Sequence, residues 1–158
     1  MKKFFALLFI PVLFFCARGP VFAQEVEGIS AEQLGINFSQ IAMSEFGSVN
    51  PGQDTSLLAS RAQEYGREMA KIMLEGKVPP EAALEIVNQC APWYAEALTQ
   101  MIKGNDLNSY INRYVKKITD LFSQNKLDLA VQSNIVMLTS DRFEKMYRLL
   151  NPSFYHYQ

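Results

Sequence analysis

The chain has 158 residues, 49% of them hydrophobic, with 15 basic against 16 acidic side chains and two cysteines. That length suits one compact domain with its own apolar core. A near-neutral balance without a basic cluster argues against nucleic acid as a partner, because such binding depends on neutralising phosphates, and equally against an anionic membrane surface.

The N-terminus reads as a Sec-type signal peptide over residues 1–23. Lys2 and Lys3 form its charged region, Phe4 to Ala17 its apolar region, and Val21-Phe22-Ala23 its cleavage site. The apolar run falls short of the ~20 residues a membrane-spanning helix needs, and Arg18 closes it, so cleavage after Ala23 is expected rather than an anchor. Phe14 and Phe15 precede Cys16 where a lipid-attachment motif needs a small residue, so lipidation is not expected. Cleavage leaves 135 residues and removes three basic ones (Lys2, Lys3, Arg18), so the formal balance moves from −1 to −4. It also leaves a single cysteine, Cys90. In an oxidising compartment that excludes an internal disulfide framework.

After a short polar lead-in, Ser30 and Gln33 have capping-box spacing, and Leu34, Phe38, Ile41 and Ala42 continue as one helical face. Gly47 is the expected end of that helix, and Asn50-Pro51-Gly52 a turn. A second helix begins at an Asp54 or Thr55 cap and runs to Gly76. Its bulky stripe is Leu58, Ala62, Tyr65, Met69, Ile72 and Met73, while Ala62, Gly66 and Ala70 make a strip without bulk. An interior glycine costs about 1 kcal/mol against alanine, so Gly66 implies close approach by another helix. Arg61, Glu64, Arg67, Glu68, Lys71 and Glu75 read as its solvated face.

The central stretch from Val78 to Gly104 opens at Pro79-Pro80 and turns Ala83, Val87, Cys90, Tyr94, Ala97, Leu98 and Met101 inward. Pro92 lacks the donor for the Asn88 carbonyl, which predicts a helix kinked or split at that point. Asp106 caps the next helix, with Leu107, Ile111, Tyr114, Ile118, Leu121 and Phe122 as its stripe. The run from Lys126 to Leu150 changes phase around Thr139-Ser140-Asp141, which predicts two helices with a sharp bend capped by Asp141. No period-two segment is long enough to propose a sheet. The expected fold is all-α, a bundle of five or six amphipathic helices over residues 24–158 with an aromatic tail at 151–158.

Chemistry is sparsely signalled. Cys90 and His156 are too few soft ligands for a zinc site, and no calcium-loop pattern is present, so no metal or cofactor is expected. A lone histidine near the end makes a Ser-His-Asp or Cys-His arrangement improbable. Paired carboxylates remain: Glu45 beside Phe46-Gly47 and Glu96 beside Trp93-Tyr94 are the candidates for a cell-wall glycan hydrolase, against the simpler reading of both as surface charges. Cys90 reads as a core residue, as the donor of an intermolecular disulfide that makes a homodimer, or as a redox thiol without the cation or CxxC that would activate it. Phe154, Tyr155 and Tyr157 in the tail either fold back over the bundle's end or anchor a partner.

The expected function is an exported, periplasmic or secreted, protein–protein interaction module: an accessory subunit, adaptor, chaperone or immunity-type inhibitor working with another envelope or secreted protein. The alternatives are the glycan hydrolase above and a helical carrier of an apolar small molecule or lipid, with Met69, Met73 and Met101 lining its cavity.

Overall fold

A computed structural model describes residues 28–104 and 106–152. The expected signal peptide and the tail residues Phe154, Tyr155, His156 and Tyr157 lie outside the described residues. Within them are five helices and no strand: α1 (Ala31–Val49), α2 (Ser56–Glu75), α3 (Pro80–Ile102), α4 (Leu107–Gln124) and α5 (Leu129–Leu150). The backbone of α1 approaches only α2 and α3, and that of α4 only α3 and α5. The pair α2 and α3 therefore stands between α1 on one side and α4 with α5 on the other.

Most helix starts follow from their caps. Ser30 Oγ accepts the Gln33 amide at 3.1 Å, Asp106 accepts that of Asn108 at 3.2 Å, and Asp128 accepts that of Ala130 at 2.8 Å. The end of α1 differs from expectation. The helix passes Gly47 and stops at Asn50, whose side-chain amide donates both to the Phe46 carbonyl and to Thr99 Oγ1 on α3. Asn50 thus caps α1 and ties it to α3 in one residue.

The small-residue strip of α2 is an interhelical contact. A Cβ on Gly66 would lie 2.5 Å from Phe38 Cβ, and one on Gly35 would lie 2.8 Å from Arg67 Cβ and from the Gln63 carbonyl oxygen. The two glycines let α1 and α2 meet almost backbone to backbone. Gly76 serves the same purpose at the α5 end, where a Cβ would lie 2.3 Å from Val131 Cγ2. The left-handed turn there falls on Lys77 (φ 62°) instead.

Each helix sends one aromatic ring to a common centre: Phe38, Tyr65, Tyr94, Tyr114 and Phe143. Tyr65 and Tyr94 stack with centroids 5.2 Å apart, Phe38 meets both edge-on at 5.5 and 5.3 Å, and Phe143 lies 4.8 Å from Tyr114. Such pairs add about 0.5–1.5 kcal/mol each beyond the area they bury. Met69, Met73 and Met101 are fully buried in the same contiguous core, so they fill the interior as solid packing and line none of the surface clefts described below.

One sequence expectation is narrowed and another corrected. Of the kinked or split forms expected at Pro92 the split one is removed, because α3 runs unbroken from Pro80 to Ile102. The final run is also one helix, not two joined by a bend. Val131, Ile135, Thr139, Phe143 and Tyr147 form one i,i+4 stripe, all buried, and the apparent change of phase is the single polar residue Thr139. Its hydroxyl donates to the Ile135 carbonyl at 2.7 Å and lies 2.8 Å from the Tyr65 hydroxyl, which in turn lies 3.2 Å from Tyr114 Oη. Ser140 likewise bonds back to the Val136 carbonyl, and Asp141 pairs with Lys145 rather than capping a new helix.

Gly66→Ala places a methyl group inside the Phe38 contact. Overpacking of this kind costs about 1–3 kcal/mol, which exceeds the helix propensity gained. A lowered midpoint in urea unfolding is expected; an unchanged or raised midpoint would show that α1 and α2 can separate freely.

Candidate functional site

The residues singled out in the sequence converge on one face of α3. Glu45, Pro92 and Glu96 line a hollow of about 240 Å³ between the C-terminal halves of α1 and α3, together with Val49, Thr99 and Lys103. Trp93 stands beside it and shares a second hollow of about 270 Å³ with Gln89, Lys117, Asp120 and Gln124 of α3 and α4. Trp93 and Glu96 meet again against Tyr110, Arg113 and Lys117. The face is therefore a ridge carrying Trp93 and Glu96, flanked by two shallow depressions.

Helical spacing explains the arrangement. Pro92, Trp93 and Glu96 fall within one turn on the side of α3 opposite Cys90 and Tyr94, whose side chains enter the core. Lys117 joins the ridge from α4. Its Nζ lies 2.6 Å from Glu96 Oε2 and 5.7 Å from the centre of the Trp93 ring. Arg113 lies 5.2 Å from the centre of the Tyr110 ring one helical turn earlier. Trp93 is half-buried and Tyr110 buried, so the cationic side chains over them leave only part of the Trp93 ring as apolar surface. Val49, 62% exposed, adds an uncovered aliphatic side chain at the rim of the Glu45 hollow.

The structure thus brings Glu45, Pro92, Trp93 and Glu96 together and separates them from Cys90. Cys90 has no exposed surface, and burial pushes its thiol up to about 12. Both facts oppose a nucleophilic or redox role, which needs an accessible thiolate. A disulfide between two folded copies would require α3 to leave the core first. Neither Arg113 nor Lys117 stands out in the sequence as more than a charged residue. The i,i+3 spacing of Tyr110 and Arg113 was the available signal, but the Lys117–Trp93 contact joins two helices and has no local signature.

Among the described residues no group of His, Cys, Asp and Glu could hold a metal ion, and no helix is long and apolar enough to cross a membrane. Comparison of the chain with protein-family models, with curated proteins and with solved structures returns no match.

Burial of Cys90 gives a pH dependence with a definite sign. The unfolded thiol ionises near its ordinary value of about 9 while the folded thiol stays protonated to about 12. Its contribution to stability is complete below pH 9 and is lost as pH rises toward 12. The buried Tyr65, Tyr94 and Tyr114 hydroxyls, also pushed up by burial, add the same slope above about pH 10. The melting temperature should therefore fall between pH 9 and 10.5, less steeply in Cys90→Ala. At pH 8 the native thiol should resist a disulfide-exchange reagent that modifies it fully in denaturant; fast native modification would show Cys90 to be reachable.

Proposed function

We propose that this chain is an exported helical interaction module that docks another envelope or secreted protein through the Trp93–Glu96 ridge. The observation that carries the reading is the composition of that ridge. Trp, Tyr and Arg are the residue types that dominate binding energy at protein interfaces, and here half-buried Trp93 and exposed Arg113 sit together over the buried Tyr110, beside two depressions. Lys117 contacts Trp93 and Glu96 from a partly exposed position, and an exposed pair of this kind contributes only about 0–1 kcal/mol, so a partner can displace it at little cost. Export rests on the leader, with cleavage between Ala23 and Gln24; N-terminal sequencing of the form recovered outside the cytoplasm should begin at Gln24.

The glycan-hydrolase alternative draws support from Glu45 and Glu96 sharing one hollow. Their surroundings do not favour it. A general acid for glycoside cleavage sits in an apolar pocket, whereas both carboxylates here are exposed and Glu96 is held by Lys117.

Affinity capture from envelope extracts tests the module directly. The partner bound by the native chain should be lost from Trp93→Ala, at an interface-centre cost of about 2 kcal/mol or more, with the helical circular dichroism of the variant retained. Equal recovery with Trp93→Ala would move the interface elsewhere, and recovery of no partner by the native chain would remove the reading.

A further inference from the structure

A further concavity, distinct from the ridge in its chemistry, lies between α2 and α5 with α3 at its floor. Its volume is about 220 Å³, below the ~300–1,000 Å³ of sites that take drug-sized molecules. Met146 and Leu149 supply apolar wall, and Leu149 is 44% exposed. Arg61, Glu64, Arg142 and Lys145 supply the polar rim.

The floor holds the unusual group. Tyr94 is 1% exposed and its ring is enclosed by Phe38, Tyr65, Tyr114 and Phe143. The hydroxyls of Tyr65 and Tyr114 are bonded to each other, and Tyr65 also to Thr139, but that of Tyr94 bonds to no described residue. No fully enclosed side-chain oxygen or nitrogen among the described residues lacks a partner, so the remaining exposed sliver of Tyr94 is its hydroxyl, open to the cleft. A phenol in this position is a donor waiting for an acceptor, because buried hydroxyls are otherwise bonded.

The rim is arranged around the same end. Arg142 is fixed by a two-pronged pair with Glu68, at 2.6 and 3.0 Å, and reaches Glu64 at 3.3 Å. Arg61 holds Glu64 at 3.2 Å and Lys145 holds Asp141 at 2.8 Å, both in largely exposed pairs. Exposed pairs contribute little, so Arg61 and Lys145 can turn to an incoming anion while Arg142 keeps its place. Three cations and one carboxylate line the cleft itself, while Glu68 and Asp141, which pair with Arg142 and Lys145, lie outside its lining.

We infer that the cleft between α2 and α5 is a binding site for a small amphiphilic carboxylate, whose head accepts the Tyr94 hydroxyl beside Arg61 and whose short apolar body lies on Met146 and Leu149. The inference is independent of the ridge and of any partner docked there. Octanoate is a suitable probe, with octylamine and octanol as head-group controls, measured by calorimetry on the full chain and by the shift of the Met146 methyl resonance. Octanoate should bind saturably at one site and weaken as salt is added, and the two controls should bind far less. Tyr94→Phe should weaken octanoate about tenfold or more, the loss of one hydrogen bond to a charged group. Its melting temperature should not fall, since the hydroxyl has no partner in the fold. Arg61→Gln should weaken octanoate about two- to fivefold. Unsaturable binding, equal binding of octylamine or octanol, full affinity in Tyr94→Phe, or a clear loss of stability in that variant would each overturn the assignment.

Discussion

The bundle depends on the seat that Gly66 makes for Phe38. With no side chain on Gly66 the Phe38 ring lies directly on the backbone of α2, and that closeness puts it edge-on to both Tyr65 and Tyr94. The stacked tyrosines then meet Tyr114 and Phe143 from the far layer. Five helices are thereby connected through five rings. A bulkier residue at position 66 would move α1 outward and detach the Phe38 ring from the other four. Close packing of this kind transmits small displacements because interiors leave few voids to absorb them.

The same centre divides the chemistry of α3 between its faces. Cys90 and Tyr94 enter the core, while Pro92 and Trp93 are half-buried and Glu96 is exposed. The inward thiol loses reactivity through burial. The inward phenol does not lose its function as a donor, because α2 and α5 part above it and leave the hydroxyl open to the cleft. Arg142 holds that edge together by bridging α5 to Glu68 on α2. Had α5 bent at Thr139-Ser140-Asp141, Arg142 and Met146 would not face α2 in the same register, and the cleft would not exist in this form.

Polar residues inside the bundle bind helices together instead of terminating them. Thr139 accepts its place in the core because its hydroxyl reaches both the Ile135 carbonyl and Tyr65. Asn37 and Asn88 pair at 2.7 Å across α1 and α3, and Asn151 closes the end of α5 onto the Met101 carbonyl at 3.1 Å. Each such bond contributes only about 0.5–1.5 kcal/mol net, but leaving any one of these groups unpaired would cost more. They therefore favour this helix register over neighbouring ones.

Local pattern was enough to establish the helical class, the Ser30 and Asp106 helix starts, and the inward positions of Phe38, Tyr65, Cys90 and Tyr94, because helical periodicity and capping are read within one or two turns. It was also enough to show that Gly66 must receive a neighbour. It did not name Phe38 as that neighbour, and it misread Thr139 as a break, since the Tyr65 hydroxyl that satisfies Thr139 lies 74 residues away in the chain. Glu45, Pro92, Trp93 and Glu96 were conspicuous singly; that they share a face with Lys117 follows from how α1, α3 and α4 pack. The cleft under Arg142 had no sequence signal at all. A donor becomes a site only where packing withholds its partner, and that is decided by contacts between helices rather than within them.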